Sequence, residues 1–229
     1  MTKSTLQADG ETLSVLTLGE LPVDLIWLHG GGKSTKERSV PMAEKLLARG
    51  VSSVTFDHSG HGESTGQLSA SSLQRRDIQA RGIIENYAAG RPRILVGSSM
   101  GGHTALSLLP QYPSVELIVL FAPAVYARES QNASFTDEFG EIIRQHESWK
   151  NSPALDALKA YTGNLLVYIG ERDQVIPHPV IDAIDAASAH VTRKNIVWFP
   201  DCPHGIRTWL NVHPDQERTV INMIVEYLQ

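Results

Sequence analysis

The chain has 229 residues, 41% of them hydrophobic, enough to bury the core of one sizeable α/β domain. A formal charge of −5 with mixed signs and no basic block excludes nucleic acid as the main partner. The one cysteine, Cys202, excludes an intrachain disulfide framework. The polar N-terminus MTKSTLQADGE and the absence of any apolar run near the roughly 18 residues a bilayer requires predict no membrane partner and a soluble cytoplasmic protein.

Residues 12–18 (TLSVLTL) alternate in part, which predicts a strand with one wet face. Residues 23–28 (VDLIWL) form a short apolar run, as a buried strand does. Residues 36–49 predict a helix with Val40, Ala43 and Leu47 on its inner face and Gly50 past its end; Pro41 must then sit in the first turn, or the helix starts later. A strand at 51–56 leads into a glycine-rich turn, and 71–89 reads as a long helix facing inward through Leu73, Ala80, Ile83, Ile84 and Tyr87, stopped by Gly90. The strand 93–96 (RILV) runs directly into GSSMGG and a helix to about residue 109. Further strands are predicted at 115–121, 165–169 and 195–199, with a helix at about 180–188. A last helix starts near Pro214 and carries the stripe Val220, Ile221, Ile224, Val225 and Leu228.

Continuous apolar strands alternating with helices predict a mainly parallel sheet covered on both faces. One stretch breaks the rhythm. Residues 126–162 are charged yet hold Phe135, Phe139, Trp149 and Tyr161. They form either an ordinary long crossover with one helix or a small cap over a site.

Two chemistries compete for the stretch LHGGGKST at 28–35. Its end resembles a phosphate-binding loop, G-x-x-x-x-G-K-[ST]. That frame needs a glycine at position 27, which is Trp27, and a bulky indole there blocks the turn. Lys33 then reads as a solvated loop lysine, or as a contact for an anionic substrate.

Gly97-Ser98-Ser99-Met100-Gly101 fits G-x-S-x-G between a buried strand and a helix. Only Ser99 has glycines at both flanking positions; Ser98 would be flanked by Val96 and Met100. A sharp strand-to-helix turn holds such a serine in strained backbone and projects its hydroxyl above the sheet, with the next N–H, from Met100, at a helix N-terminus.

At these residues the chain resembles the α/β-hydrolase family over nearly its whole length. LHGGG looks like the family's oxyanion loop, FDHSGHGES at 56–64 like its D-x-x-G-x-G-x-S turn, and GSSMGG like its nucleophile elbow. GERDQVIP at 170–177 and DCPHG at 201–205 look like its acid and histidine segments, in the family's order of serine, acid, histidine. The resemblance implies one α/β-hydrolase domain over 1–229, with helices on both faces of a mostly parallel sheet.

Of nine histidines, His204 follows the last predicted strand, on the same sheet edge as Ser99. His178, His190 and His213 lack that placement, His29 reads as a prop for the oxyanion loop, and His103 as structural. For the acid, Asp173 and Glu171 both follow the strand at 165–169, with Asp182 and Asp185 further on; the resemblance favours Asp173, through G-x-x-D-x-h-x-P. Asp173 would fix the tautomer of His204 without taking its proton. Met100 would give one oxyanion N–H and Gly31 the other, with Gly32 as an alternative. Asp57, His58 and His61 could suggest a metal, but their glycines and the resemblance favour a tight turn, and Cys202 reads as a small apolar filler.

These readings imply acyl transfer to water from a small or medium carboxylic ester, without cofactor or metal. A thioester comes next as substrate, and lactonase or carbon–carbon bond hydrolase chemistry shares the motifs. Phe135, Phe139 or Trp149 would stack on an aromatic part of the acyl group. The reading from another class is a non-catalytic small-molecule binding protein, which would not react with a fluorophosphonate at Ser99.

Overall fold

A computed structural model describes residues 1–228. Its eight strands are β1 (Thr2–Ala8), β2 (Glu11–Leu18), β3 (Leu25–Leu28), β4 (Ser53–Phe56), β5 (Ile94–Ser98), β6 (Leu117–Phe121), β7 (Asn164–Gly170) and β8 (Arg193–Phe199). They form one sheet in the order β1-β2-β4-β3-β5-β6-β7-β8. β1–β2 and β2–β4 pair antiparallel and the rest run parallel, for example Leu28 beside Gly97 and Ser98 beside Phe121.

Successive side chains of a strand point to opposite faces, so each central strand feeds two cores. Ile26, Leu28, Leu95 and Leu120 enter one, against α2 (Leu73–Tyr87), α3 (Met100–Leu108), α5 (Pro153–Ala160) and α6 (His178–Ala187). Leu25, Trp27, Val96 and Val119 enter the other, against α1 (Val40–Leu47), α7 (Ile206–Leu210) and α8 (Pro214–Glu226). Burial on both faces is why these strands are apolar throughout, as expected for a parallel sheet. Ser72 caps α2 by accepting the N–H of Arg75 at 3.2 Å. Among the described residues no helix is long and apolar enough to cross a membrane.

Several expectations are corrected. β2 has no wet face: Ser14 is buried because its backbone N–H donates to Ser64 Oγ and its hydroxyl to Glu63, so the 57–64 turn covers it. β1 went unforeseen, because only Leu6 and Ala8 mark its inner side. In 36–49 a 3-10 turn, Lys36–Ser39, precedes α1, which starts at Val40 with Pro41 in its first turn. Its buried stripe is Met42, Ala43 and Leu46; Leu47, one residue off that stripe, is exposed. α7 was missed because five residues carry too little periodicity to read.

The stretch 126–162 holds two α-helices rather than one. α5 packs in the core as a crossover helix through Ala154, Leu155 and Leu158. α4 (Asp137–Ile143) instead joins a small separate cluster, in which Phe139 is buried with Leu73 and Ala133.

A buried ion pair ties the loop after β3 to the turn after β4. Lys36 Nζ, 1% exposed, donates to Asp57 Oδ2 at 2.7 Å and to Glu63 Oε2 at 2.8 Å. Asp57 also accepts the backbone N–H of Lys36 at 2.8 Å and of Glu63 at 3.1 Å. Burial pulls the Lys36 ammonium's pKa down, but the bonds from Asp57, Glu37 and Glu63 outweigh it and hold it above the ordinary lysine value. Removing one partner of a buried pair strands the other charge. Lys36→Met is therefore expected to lower the unfolding free energy by about 3–5 kcal/mol in urea titrations; a loss under about 1 kcal/mol would mean that water reaches Asp57.

Candidate active site

The parallel strands end on one edge, where α/β sheets place their ligands. Ser99 follows β5 there, Asp173 follows β7, His204 follows β8 and Gly30–Gly31 follow β3. Ser99 has φ 50° and ψ −119°, a conformation that strains any residue with a Cβ. It is over-determined by hydrogen bonds: its N–H donates to Phe121 O at 2.9 Å, and its carbonyl accepts from Gly102 at 2.8 Å and Ala124 at 3.0 Å. A Cβ on Gly101 would lie 2.0 Å from Leu28 O, so only glycine lets α3 start this close to β3.

The structure brings the three sequence-predicted side chains together. His204 Nε2 lies 3.1 Å from Ser99 Oγ, and His204 Nδ1 lies 2.8 Å from Asp173 Oδ2. The other carboxylate oxygen of Asp173 accepts the N–H groups of Val175 at 2.8 Å and Ile176 at 3.0 Å. Burial works to raise the pKa of this carboxyl, but the bonds from His204, Ile176 and Val175 outweigh it and hold it below the ordinary aspartate value. The alternatives Glu171, Asp182 and Asp185 are exposed, and Asp185 pairs with Lys194.

Beside Ser99 two backbone N–H groups are unspent. Among the described residues neither Gly31 nor Met100 donates to any acceptor. Met100 is the first residue of α3, where an N–H has no partner within the helix. The loop that carries Gly31 is held from behind. His29 Nδ1 lies 2.6 Å from Gly30 O, its Nε2 accepts the N–H of His58 at 3.0 Å, and Arg76 donates to His29 O. Burial first, then the Arg76 guanidinium and His61, hold the His29 imidazole well below its ordinary pKa. It is therefore neutral, as a ring that donates at one nitrogen and accepts at the other must be.

The remaining candidates part company. Asp57 turns to Lys36, His58 Nδ1 to Gln79 at 3.2 Å and His61 Nδ1 to Ser59 O at 3.2 Å, so these three do not converge on one point. Asp57 clusters instead with Glu37 and Glu63, around the ammonium of Lys36. His103 is buried and accepts the N–H of Tyr126 at 3.2 Å; burial pushes its pKa down to about 4. Lys33 is exposed, Gly32 has φ +61°, and the GKST stretch simply leads into the 3-10 turn. Cys202 is fully buried beneath the site, and burial, then the Asp173 charge, push its thiol up to about 11.

Ser99 borders two cavities. The larger, about 460 Å³, is walled by Tyr126, Ile143, Trp149, Val175, Ile176 and Val180. Of the aromatics expected to face a substrate, Trp149 does line it. Phe135 and Phe139 do not: they pack edge-to-face on each other with centroids 4.9 Å apart, and Phe139 packs on Tyr126 at 5.4 Å. The smaller cavity, about 130 Å³, is lined by Gly30, Gly31, Ser98, His204, Arg38 and Arg207. The two arginines were missed; the only signal was their position, one in the loop after β3 and one three residues past His204.

Comparisons with known proteins bear on the family and the fold. The family model described as Hydrolase_4, serine aminopeptidase S33, matches residues 23–150. An esterase (EaEST) from Exiguobacterium antarcticum superposes with a TM-score of 0.73 at 20% identity, covering 98% of this chain and 100% of that one. A thioesterase domain from the curacin biosynthetic pathway does so with a TM-score of 0.73 at 15% identity, covering 99% of each chain. A meta-cleavage product hydrolase (CumD) from Pseudomonas fluorescens IP01 gives 0.71 at 18% identity, covering 98% and 97%. At these identities the likenesses speak for the fold.

Two outcomes follow from the site's physics. Ser99→Gly removes the Cβ from a strained conformation, a relief of about 1–3 kcal/mol, against about 0.5–1 kcal/mol of added chain entropy. Its unfolding free energy in urea should rise by about 1 kcal/mol, whereas Ser99→Ala, which keeps the Cβ, should show no such gain. For Asp173 the folded pKa lies below the unfolded one, so its contribution to stability is present above the ordinary carboxylate pKa of about 3.9 and lost as pH falls through the folded value. The stability gap between wild type and Asp173→Asn should hold constant above about pH 5 and narrow in acid; a gap that widens in acid would reverse this sign.

Proposed function

The chain belongs to the serine aminopeptidase S33 family of α/β-hydrolases, and from that premise we propose that it is a serine hydrolase cleaving a small or medium carboxylic ester. The observation that carries the reading is the hydrogen-bonded line from Ser99 Oγ through His204 to Asp173, at 3.1 and 2.8 Å, on a strained strand-to-helix turn. Ser99 Oγ attacks the ester carbonyl while His204 Nε2 takes its proton. The N–H groups of Gly31 and Met100 hold the resulting alkoxide oxygen. Collapse expels the alcohol, protonated by His204, and leaves an acyl-enzyme. His204 then takes a proton from water, which attacks the acyl carbon; as the bond to Ser99 Oγ breaks, His204 returns that proton to Ser99 and the carboxylic acid leaves. Asp173 orients the imidazole and meets its charge when protonated; its second oxygen, fixed by Val175 and Ile176, keeps the carboxylate from turning away.

Within 126–162, the end of α4 and the part that follows it act as a small cap on a single domain. Its Ile143 and Trp149 wall the larger cavity, whose volume suits a short or medium acyl chain or a compact aromatic group. The reaction requires no cofactor.

The test is hydrolysis of p-nitrophenyl esters from acetate to decanoate, with acyl thioesters of matching length beside them. Rates should peak at one chain length. Ser99→Ala should abolish turnover and fluorophosphonate labelling, and Asp173→Asn and His204→Gln should each lower kcat by about 10⁴-fold or more. Turnover of thioesters alone would move the substrate class. A wild type that neither turns over nor labels would leave the site a binding pocket.

A further inference from the structure

The smaller cavity has an electrostatic peculiarity. Two cations stand on its wall, and among the described residues neither meets a carboxylate. The Arg207 guanidinium donates to Ser39 Oγ at 2.6 Å and lies 5.8 Å from the centre of the Trp27 ring. Arg38 reaches only the carbonyl of Lys33, at 3.5 Å. Some arginines elsewhere meet acids, as Arg75 does with Asp9 and Arg93 with Glu116, and those that do not, such as Arg49, Arg81 and Arg91, are exposed to water, whereas Arg207 is half-buried. Burial, and then the like charge of Arg38, push Arg207 down to about 10, so it keeps its charge at neutral pH with no acid beside it to stabilise that charge. Ser98 Oγ, on the same wall, is buried and without a partner. The larger cavity differs: Arg144 on its rim is accompanied there by Glu147, and its remaining wall is largely apolar.

A half-buried guanidinium near a second guanidinium is unfavourable unless an anion joins them, and arginine's planar fork suits a carboxylate. The cavity's 130 Å³ holds a carboxylate with one or two methylenes and little more. We propose that Arg38 and Arg207 form a carboxylate subsite beside Ser99, so that the substrate is an ester carrying a free carboxylate a few bonds from the carbonyl that is cleaved. This rests on Ser99 as the nucleophile. The apolar remainder of the substrate lies in the larger cavity. Substrates of this class are half-esters of short dicarboxylic acids, with the charge on the acyl side, or esters of short hydroxy acids, with the charge on the leaving side.

The experiment has a kinetic and a binding arm. In the first, kcat/KM is compared for p-nitrophenyl hydrogen succinate against p-nitrophenyl butyrate, and for carboxymethyl butyrate against ethyl butyrate. At least one charged ester should be preferred by about 10-fold or more, and Arg207→Gln or Arg38→Gln should reduce that ratio by about 10- to 100-fold, the range of a charge-assisted hydrogen bond. Arg38 is exposed, so its variant keeps the test alive should Arg207→Gln fold poorly. In the second arm, monomethyl succinate and inorganic phosphate are titrated calorimetrically into Ser99→Ala, with and without Arg207→Gln. Succinate half-ester binding that weakens about 10-fold or more with the arginine removed supports the subsite, even where no ester is turned over and the esterase reading fails. Turnover of p-nitrophenyl butyrate with no charged preference and no half-ester binding overturns the subsite and leaves the esterase reading standing. Phosphate binding more tightly than the half-ester overturns the carboxylate assignment.

Discussion

Everything at the site depends on how closely four backbone segments approach along the sheet's C-terminal edge. The start of α3 presses against the end of β3, where a Cβ on Gly101 would meet Leu28 O at 2.0 Å. The end of β7 presses against the loop after β8, where one on Gly170 would meet Cys202 O at 2.1 Å. The first contact sets the loop of Gly30 and Gly31 beside Ser99, and the second sets His204 beside Asp173. Strain at Ser99 follows from the first, because the chain must turn from strand to helix in the little space that remains. The surrounding hydrogen bonds to Phe121, Gly102 and Ala124 hold the strained residue in place. A geometry fixed by backbone packing needs no reorganisation when charge develops, and that is where electrostatic catalysis gains most.

The loop after β3 shows the same economy in polar groups. Arg76 takes the carbonyl of His29, and His29 in turn takes the carbonyl of Gly30. With both carbonyls bound from behind, the N–H of Gly31 is left unspent. The cost is a buried guanidinium with two nitrogens unpartnered, beside Asp77, whose carboxyl burial pushes up to about 7. A buried cation behind an N–H donor raises the local positive potential, which favours a negative oxygen in front of it.

Much of this was legible in the sequence for a physical reason. Parallel strands buried on both faces write themselves as apolar runs, and the motif around Ser99 is dictated by steric contacts that only glycine allows. Ser99 and His204 could be named because each follows a strand at the same edge, whereas that placement left Glu171 beside Asp173 and the family resemblance chose between them. What escaped was whatever lacks a local signature. β1 is polar with two inward residues, α7 is five residues long, and the inner face of α1 is set by its packing against the sheet rather than by its own spacing. The aromatics of 126–162 looked alike in sequence, but Phe135 and Phe139 satisfy each other, and only the fold singles out Trp149. Arg38 and Arg207 are 169 residues apart, and nothing in either neighbourhood announces that they face one cavity.

The two charges of the proposed reaction are met by different parts of the molecule. Acyl transfer makes a negative oxygen and a positive imidazolium side by side. The buried carboxylate of Asp173 answers the imidazolium through a single short bond. The negative oxygen is answered by N–H groups at short range and by Arg76, Arg38 and Arg207 at longer range, inside a chain whose formal charge is −5. Cations gathered in a cleft of an acidic protein are not a by-product of composition; they focus the field where low-dielectric walls preserve it. On the proposed carboxylate subsite, that field favours a substrate bearing a carboxylate over a neutral one. Its charge joins the two guanidiniums in the ground state, which fixes the ester against Ser99, while the N–H groups of Gly31 and Met100 stay in reserve for the oxygen that becomes charged only as the bond breaks.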